Sequence, residues 1–401
     1  LKKRTKKLLV FMWAKNIKVF CFFFSKKKFF LLPFFFTAAH AQTLISADPP
    51  KIVLRSDAFG LPFFPDGSMF SAVIGGRTLY FAADGGRAAS ANQGTIVLSG
   101  DLDHLQPIMR EDGQVVASLR PPAEPGASGF DAVFDRDYAG GGPVLWDQAS
   151  GLLLHAYHGE YHFVQGDWTQ FYSAIGMAVS RDEGRSFTRL GLAIRPALPP
   201  EAQLRMPSSA GTLVPVGDML YLYYDDLSAD RRCDGVAQGG LPCLAVAAAP
   251  RAEVLAAASR GTLPVWHKYF RGKFSEAGIG GNFSPLVVTD PGHWIRWPTV
   301  MRDPASGWFF LAYEAGAKAL ELRMSRDGLA WGNALTVMPT PPDTVVNYAS
   351  LLQLVPEAQP GRGSPRFALT IAFVAIAKSG ERIDFRNRNL ETISITVEAP
   401  G

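Results

Sequence analysis

The sequence predicts an all-β fold, a five-bladed β-propeller of four-stranded antiparallel blades, and three observations predict it. Apolar runs of four to eight residues alternate with Gly, Pro and Asp punctuation, 39 Gly and 29 Pro among 401 residues, and helical periodicity is nearly absent. A weak unit recurs: an apolar strand, a strand rich in Tyr, Phe and Leu, a strand of small residues, then a turn and a closing strand. Five such units follow residue 41, and four-stranded units set radially leave few long exposed sheet edges.

The clearest unit is 142–191, with strands at 142–146, 152–158, 173–180 and 186–190. Residues 296–338 repeat the order with strands at 297–301, 308–313, 319–325 and 331–337. Poorer copies predict strands at 71–74, 78–83 and 95–99, at 211–214, 219–224, 243–248 and 265–270, and at 349–354, 368–375 and 392–397. One helix is expected, the Ala-rich stretch Arg251–Ser259 inside the third unit.

Residues 1–41 read differently. They carry ten of the 40 Lys and Arg and no Asp or Glu, leaving 30 basic against 36 acidic residues in the rest. An apolar stretch at 29–39 follows Lys26-Lys27-Lys28 and precedes Ala39-His40-Ala41, the order of an export signal with a small-x-small cleavage site. The expectation is a signal peptide over 1–41, a single propeller domain over 42–401, and a secreted or periplasmic protein without stable membrane insertion after cleavage; a retained signal anchor is the alternative. The acidic body argues against nucleic acid as a partner. Cys233 and Cys243, separated by a Gly-rich loop, suit a disulfide in an oxidising compartment; two isolated thiols lack the four ligands of structural zinc.

Two turns carry a shared pattern: Ser180-Arg181-Asp182-Glu183-Gly184-Arg185-Ser186-Phe187, and the shorter Ser325-Arg326-Asp327-Gly328-Leu329-Ala330-Trp331. In such a turn the Asp accepts backbone N–H bonds, the Gly takes positive φ, and the aromatic packs beneath. These turns look like the Asp boxes of sialidase and glycoside hydrolase propellers. With the five units, the export signal and acids at strand ends, most of residues 50–398 resembles the five-bladed propeller glycoside hydrolases of the arabinanase/xylosidase (family 43) and invertase/levanase (family 32) type. The resemblance implies hydrolysis of a glycosidic bond in an oligo- or polysaccharide, at one end of the axis, by three acids from the first three blades. One carboxyl protonates the leaving oxygen, another activates water or attacks the anomeric carbon, and a third tunes the donor.

Candidates for those acids come from strand ends. Asp66, in Pro65-Asp66-Gly67, occupies the place where the resemblance puts a base or nucleophile, departing from the usual Asp-Pro order; a turn residue is the alternative. Asp84, closing Leu79-Tyr80-Phe81-Ala82-Ala83-Asp84, is a substrate-binding candidate or a hairpin residue. In His155-Ala156-Tyr157-His158-Gly159-Glu160-Tyr161-His162, an extended backbone puts His158, Glu160 and His162 on one face. Glu160 between two imidazoles suits a general acid of tuned pKa, with His158 and His162 binding substrate; the same trio could ligate a metal, and a hydrogen-bonded rim cluster is the third reading. Asp225 and Asp226 end a hydrophobic strand and point to opposite faces. Asp226 is taken as the third catalytic acid and Asp225 as substrate-binding, although alternation does not choose between them.

Sugars offer apolar faces to aromatic rings. Trp168, in a loop, is the best stacking candidate, followed by Trp294 and Trp297, and Arg205 is a candidate clamp for a hydroxyl or carboxylate. No cofactor is expected, and an axial structural calcium ion stays open. The nucleotide-loop, zincin and nucleophile-elbow motifs are missing, which removes support for those chemistries. Two rival functions remain: a non-catalytic carbohydrate-binding propeller, and a sialidase-like enzyme, which would need an axial arginine triad and a sixth blade.

Overall fold

The structure, a computed structural model, describes residues 42–400 apart from 57, 62, 87–93, 110, 112, 116, 123–128, 165–169, 203–207, 227–241, 288–294, 317 and 358–363. The expected leader, Trp168, Arg205, Cys233 and Trp294 lie outside the described residues.

Five antiparallel sheets of four or five strands form a five-bladed β-propeller. Blade one runs from Phe70–Ile74 through Arg77–Asp84 to Gly94–Ser99, with the short strands Gln106–Pro107 and Ala117–Leu119 at its outer edge. Blade two has a divided inner strand, Tyr138–Gly140 and Val144–Asp147, followed by Leu152–His162, Phe171–Ser180 and Thr188–Ile194. Blade three is Ser208–Val216, Met219–Asp226, Cys243–Pro250, His267–Phe270 and Lys273–Ala277, with the helix Arg251–Ser259 where the sequence places it. Blade four is Ile295–Arg302, Phe309–Ala315, Ala319–Ser325 and Leu335–Pro339. Blade five has the long strands Thr344–Glu357, Arg366–Ser379 and Arg382–Glu398, and its outer edge is completed antiparallel by Thr43–Ala47 and Lys51–Leu54 from the start of the described chain.

That closure by the opposite end of the chain is not visible in the sequence repeat. Its physical reason is the edge that Arg382–Glu398 would otherwise expose. The apolar cores lie in the seams: Leu154, Met177, Leu222 and Trp266 fill the junction of blades two and three, and Phe310, Leu322, Phe367 and Ile393 that of blades four and five.

Each of the five seams also carries a hydroxyl that accepts a backbone N–H from the adjoining blade. Thr95 Oγ1 takes Gly141 N at 3.0 Å, Ser173 Oγ takes Ser208 N at 3.2 Å and Thr212 Oγ1 takes Val300 N at 2.8 Å. Thr299 Oγ1 takes Leu351 N at 3.0 Å, and Ser350 Oγ takes Met69 N at 2.7 Å, returning to blade one. Four of these acceptors lie on residues less than 3% exposed, where an unpaired inner-strand N–H would be costly.

The two patterned turns lock a seam each. Asp182 accepts Ser186 N at 2.9 Å and Ser186 Oγ at 2.6 Å, and Gly184, at φ 86°, packs so closely on Phe81 of blade one that a Cβ would lie 2.6 Å from its ring. Asp327 accepts Leu329 N and Ala330 N, both at 2.8 Å, and Gly328 sits on Tyr223 of blade three, whose hydroxyl donates to its carbonyl at 3.0 Å.

Candidate active site

Blade one supplies Asp66 just ahead of its inner strand. The Asp66 N–H bonds Ala83 O at 2.8 Å, which lays the side chain over Gly85; a Cβ there would fall 1.8 Å from Asp66 Oδ2. The carboxylate is held from blade five, 322 residues away in sequence. Arg388 Nη1 donates to Asp66 Oδ1 at 2.5 Å, and Tyr348 Oη donates to the same oxygen at 3.0 Å. Arg388 is 1% exposed and also donates to Pro65 O at 3.1 Å and Phe385 O at 2.6 Å. Asp66 keeps 29% of its side chain exposed, so the anchored carboxylate faces open space.

Beside it, Asp84 is 1% exposed and neither oxygen finds a well-formed hydrogen bond. Burial, reinforced by the Asp66 charge, pushes its pKa up to about 7 against the opposing pull of the Gly86 N–H and Arg388. Asp84 thus keeps a proton near neutrality beside the ion-paired Asp66.

Blade two supplies Glu160. The strand Leu152–His162 continues through the whole His-rich string, so His158, Glu160 and His162 do share a face. Glu160 Oε1 accepts His158 Nε2 at 3.1 Å and Oε2 accepts His162 Nε2 at 2.8 Å. Burial pushes the Glu160 pKa up, but the two imidazole hydrogen bonds and charges outweigh it and the net direction is down. The imidazoles therefore favour the ionised carboxylate, whereas a proton donor needs the neutral form stabilised. Both Nε2 atoms face the carboxylate, and among the described residues no group of three His, Cys, Asp or Glu is arranged to hold a metal ion.

Aromatic rings join the two acid centres. Tyr348 meets Trp297 with centroids 4.8 Å apart, Trp297 meets His158 at 5.9 Å, and His158 meets Tyr138 at 6.1 Å. Burial raises the Tyr138 hydroxyl well above its ordinary range, and the charges of Asp66, Glu160 and Asp84 act in the same direction. Among the described residues its Oη has no hydrogen-bond partner, nor has His158 Nδ1. Asp66, Asp84, Tyr138, His158, Glu160, Trp297 and Tyr348 therefore form one connected group at one end of the inner strands.

Blade three divides its two acids. Asp225 Oδ1 accepts Ser209 N at 2.7 Å and Ser209 Oγ at 2.5 Å, while Oδ2 accepts Trp297 N at 3.2 Å. Asp225 thus touches the connected group through the backbone of Trp297. Asp226 turns to the other side, toward the seam with blade two. It is fully buried 3.7 Å from Lys268 Nζ, with neither oxygen hydrogen-bonded. Lys268 donates instead to Arg195 O at 2.7 Å and Gly281 O at 2.9 Å. Burial raises the Asp226 pKa and lowers that of Lys268.

No protein-family profile and no curated protein matches the chain. Among solved structures, a thermostable family-43 glycoside hydrolase aligns at 12% identity over 81% of this chain and 88% of its own, with a TM-score of 0.46. The catalytic domain of a family-62 α-L-arabinofuranosidase from Coprinopsis cinerea aligns at 10% identity over 86% and 95%, with a TM-score of 0.44. An α-L-arabinanase from Penicillium chrysogenum, solved with arabinobiose, aligns at 11% identity over 87% and 98%, with a TM-score of 0.43.

Three residues escaped sequence reasoning: Tyr138 and Tyr348 of the connected group, and Arg388, which holds Asp66. Tyr138 and Tyr348 begin or interrupt inner strands, where an aromatic looks like ordinary core. Arg388 does carry a signal. It falls within the run Asp384-Phe385-Arg386-Asn387-Arg388-Asn389, which reads as a polar loop ahead of the expected strand at 392–397, yet the strand is continuous over Arg382–Glu398.

Proposed function

We propose that this protein is a glycoside hydrolase acting on an oligo- or polysaccharide at the axial end that carries Asp66 and Glu160. The observation that carries the reading is the split in protonation: Asp84 is pushed up to about 7 beside Asp66, while Glu160 is drawn down by two imidazoles. Carboxyls whose environments separate their pKa values supply the acid and the base of glycosidic cleavage.

In this scheme Glu160 takes a proton from a water whose oxygen bonds to the anomeric carbon. The C–O bond to the leaving group breaks, and the leaving oxygen receives a proton from the Asp66–Asp84 pair. The proton comes from Asp84, the carboxyl that burial keeps neutral near pH 7, and Asp66 Oδ2, the oxygen not engaged by Arg388 and Tyr348, relays it to the leaving oxygen. Asp66 thus departs from the base or nucleophile that the propeller resemblance implies, and Glu160 from the general acid that its place between two imidazoles suits. We also propose inversion, for which roughly 6.5–9.5 Å between carboxyls is typical. We further propose export on the 1–41 leader and a Cys233–Cys243 disulfide.

The test is hydrolysis of a panel of plant, bacterial and fungal glycans by the mature chain, with the product anomer read by NMR. Cleavage that disappears in both Asp66→Asn and Glu160→Gln supports the reading. Full activity in either variant removes that residue's role, and binding without cleavage across the panel turns the reading toward a carbohydrate-binding propeller.

A further inference from the structure

The inner strands of blades four and five bulge in the same way. In blade four the register passes from Arg296 opposite Glu314 to Thr299 opposite Ala312, so Trp297-Pro298 share one partner, Tyr313. In blade five Asn347 opposes Val374 and Ser350 opposes Ala372, so Tyr348-Ala349 share Phe373. At each bulge the first residue takes a left-handed backbone, φ 48° at Trp297 and φ 57° at Tyr348. Blade two makes its corresponding break with Gly141 and Gly142, at φ 62° and 94°, for which the conformation is free of strain. A bulky side chain is strained in that conformation.

Two aromatics held in an unfavourable conformation, at equivalent places and in contact with each other, need a compensating reason. Packing alone does not supply one, because both rings are only partly buried. Local devices hold them in place: Asp225 Oδ2 accepts the Trp297 N–H, and Tyr348 donates to Asp66. Next to the Trp297 ring lies His158, whose Nδ1 has no partner among the described residues, and beyond it the Tyr138 hydroxyl, which has none there either; both residues are only 7% exposed. Buried polar atoms in native proteins seldom go without a partner.

We propose that Trp297 and Tyr348 form a sugar-binding wall facing the acids of blades one and two, in which a neutral sugar ring lays an apolar face on the Trp297 indole. The inference deepens the glycoside hydrolase reading by assigning ring recognition to blades four and five and bond cleavage to blades one and two. An aromatic face with a few fixed polar partners is the usual composition of a sugar site. Asp225 then acts as a positioning residue, holding Trp297 through its backbone.

The experiment measures binding separately from turnover. Xylotriose, arabinotriose, galactobiose and cellotriose are titrated into the full mature chain by calorimetry, and hydrolysis of each is followed in parallel. At least one is expected to bind, Trp297→Ala to weaken that binding tenfold or more, and Trp297→Phe to restore most of it. Trp297→Gly is expected to bind as poorly as Trp297→Ala yet to unfold at higher temperature, because only glycine relaxes at φ 48°. Binding by none of the four sugars, undiminished binding in Trp297→Ala, or a Gly variant less stable than the Ala variant overturns the proposal. Sugars that bind through Trp297 without being cleaved leave the wall standing and count against the hydrolase alone.

Discussion

Two buried polar regions lie on either side of one short sequence, Asp225-Asp226. Asp225 is saturated by three donors and braces the wall of the axial site, whereas Asp226 has no hydrogen bond and faces Lys268 at 3.7 Å in a seam. Both are buried to the same degree, so burial does not tell a site from a structural pair. The partners do. Around the axis, Asp66 and Glu160 keep a share of solvent, and Asp66 is bonded to Arg388 and Tyr348 across the seam of blades one and five. In the seam Lys268 faces Asp226 at 3.7 Å, with Arg195 and Glu276 also acting on Lys268, and a buried pair of that kind gains little net stability although breaking it is costly.

The largest expected effect falls on the axial side. Asp66→Asn and Glu160→Gln should each lower turnover roughly 10³- to 10⁴-fold, the upper range for a positioned acid or base, with thermal unfolding changed by a few degrees; Asp226→Asn should leave turnover of the folded fraction near wild type. Equal losses in all three would erase the contrast between the regions.

Lys268→Met should act in the opposite manner, destabilising the fold by about 3–5 kcal/mol because Asp226 is left buried without its cation. Asp226 has a raised folded pKa, so the unfolded state binds fewer protons than the native one and stability falls as pH rises through that range. Wild type already has that slope up to about pH 7, and loss of the Lys268 charge raises the Asp226 pKa further, so the Lys268→Met defect should deepen above pH 7 in chemical denaturation, and Lys268→Met/Asp226→Asn should recover part of it. A pH-independent loss would show that the carbonyl bonds of Lys268, not the ion pair, matter.

Asp84→Asn sharpens the comparison within the axial group. Raised from its ordinary value of 3.8 to about 7, Asp84 costs nothing below pH 4 and progressively more as pH climbs to 7, up to roughly 4 kcal/mol at 1.36 kcal/mol per pKa unit. The asparagine variant should lose that slope, gaining about 2–4 kcal/mol relative to wild type at pH 8 against pH 4, and the alkaline limb of the rate profile near pH 7 should move. Failure of the limb to move removes Asp84 from proton supply. The smallest effect is expected at the seams. Ser350→Ala, which strips the acceptor from Met69 N, should cost about 1–2 kcal/mol and leave the pH profile unchanged, as read by denaturant midpoints.

Much of the fold was legible because its signals are local. Short apolar runs bounded by Gly, Pro and Asp gave the strand cores, the Ala-rich run gave Arg251–Ser259, and the Ser-x-Asp turns announced their own hydrogen bonds. The His-rich string likewise predicted that His158, Glu160 and His162 share a face, since any extended backbone imposes it. Its chemistry was less legible: a glutamate between two histidines suits a proton donor until the hydrogen bonds show that the ionised form is favoured. Asp226 was chosen over Asp225 without a local reason, and the structure puts Asp225, not Asp226, in touch with Trp297.

The sequence by itself determined that neighbouring acids in a strand part company, that the strands fall into five groups, and that apolar faces meet between them. Only the tertiary structure decided which face of blade three looks to the axis, that residues 43–54 complete the last blade, and that Arg388 reaches Asp66 across 322 positions. The reason is physical: alternation is a property of one backbone, whereas the direction of a strand end depends on the twist and stacking of whole sheets, and the partner of a buried charge depends on which seam closes last.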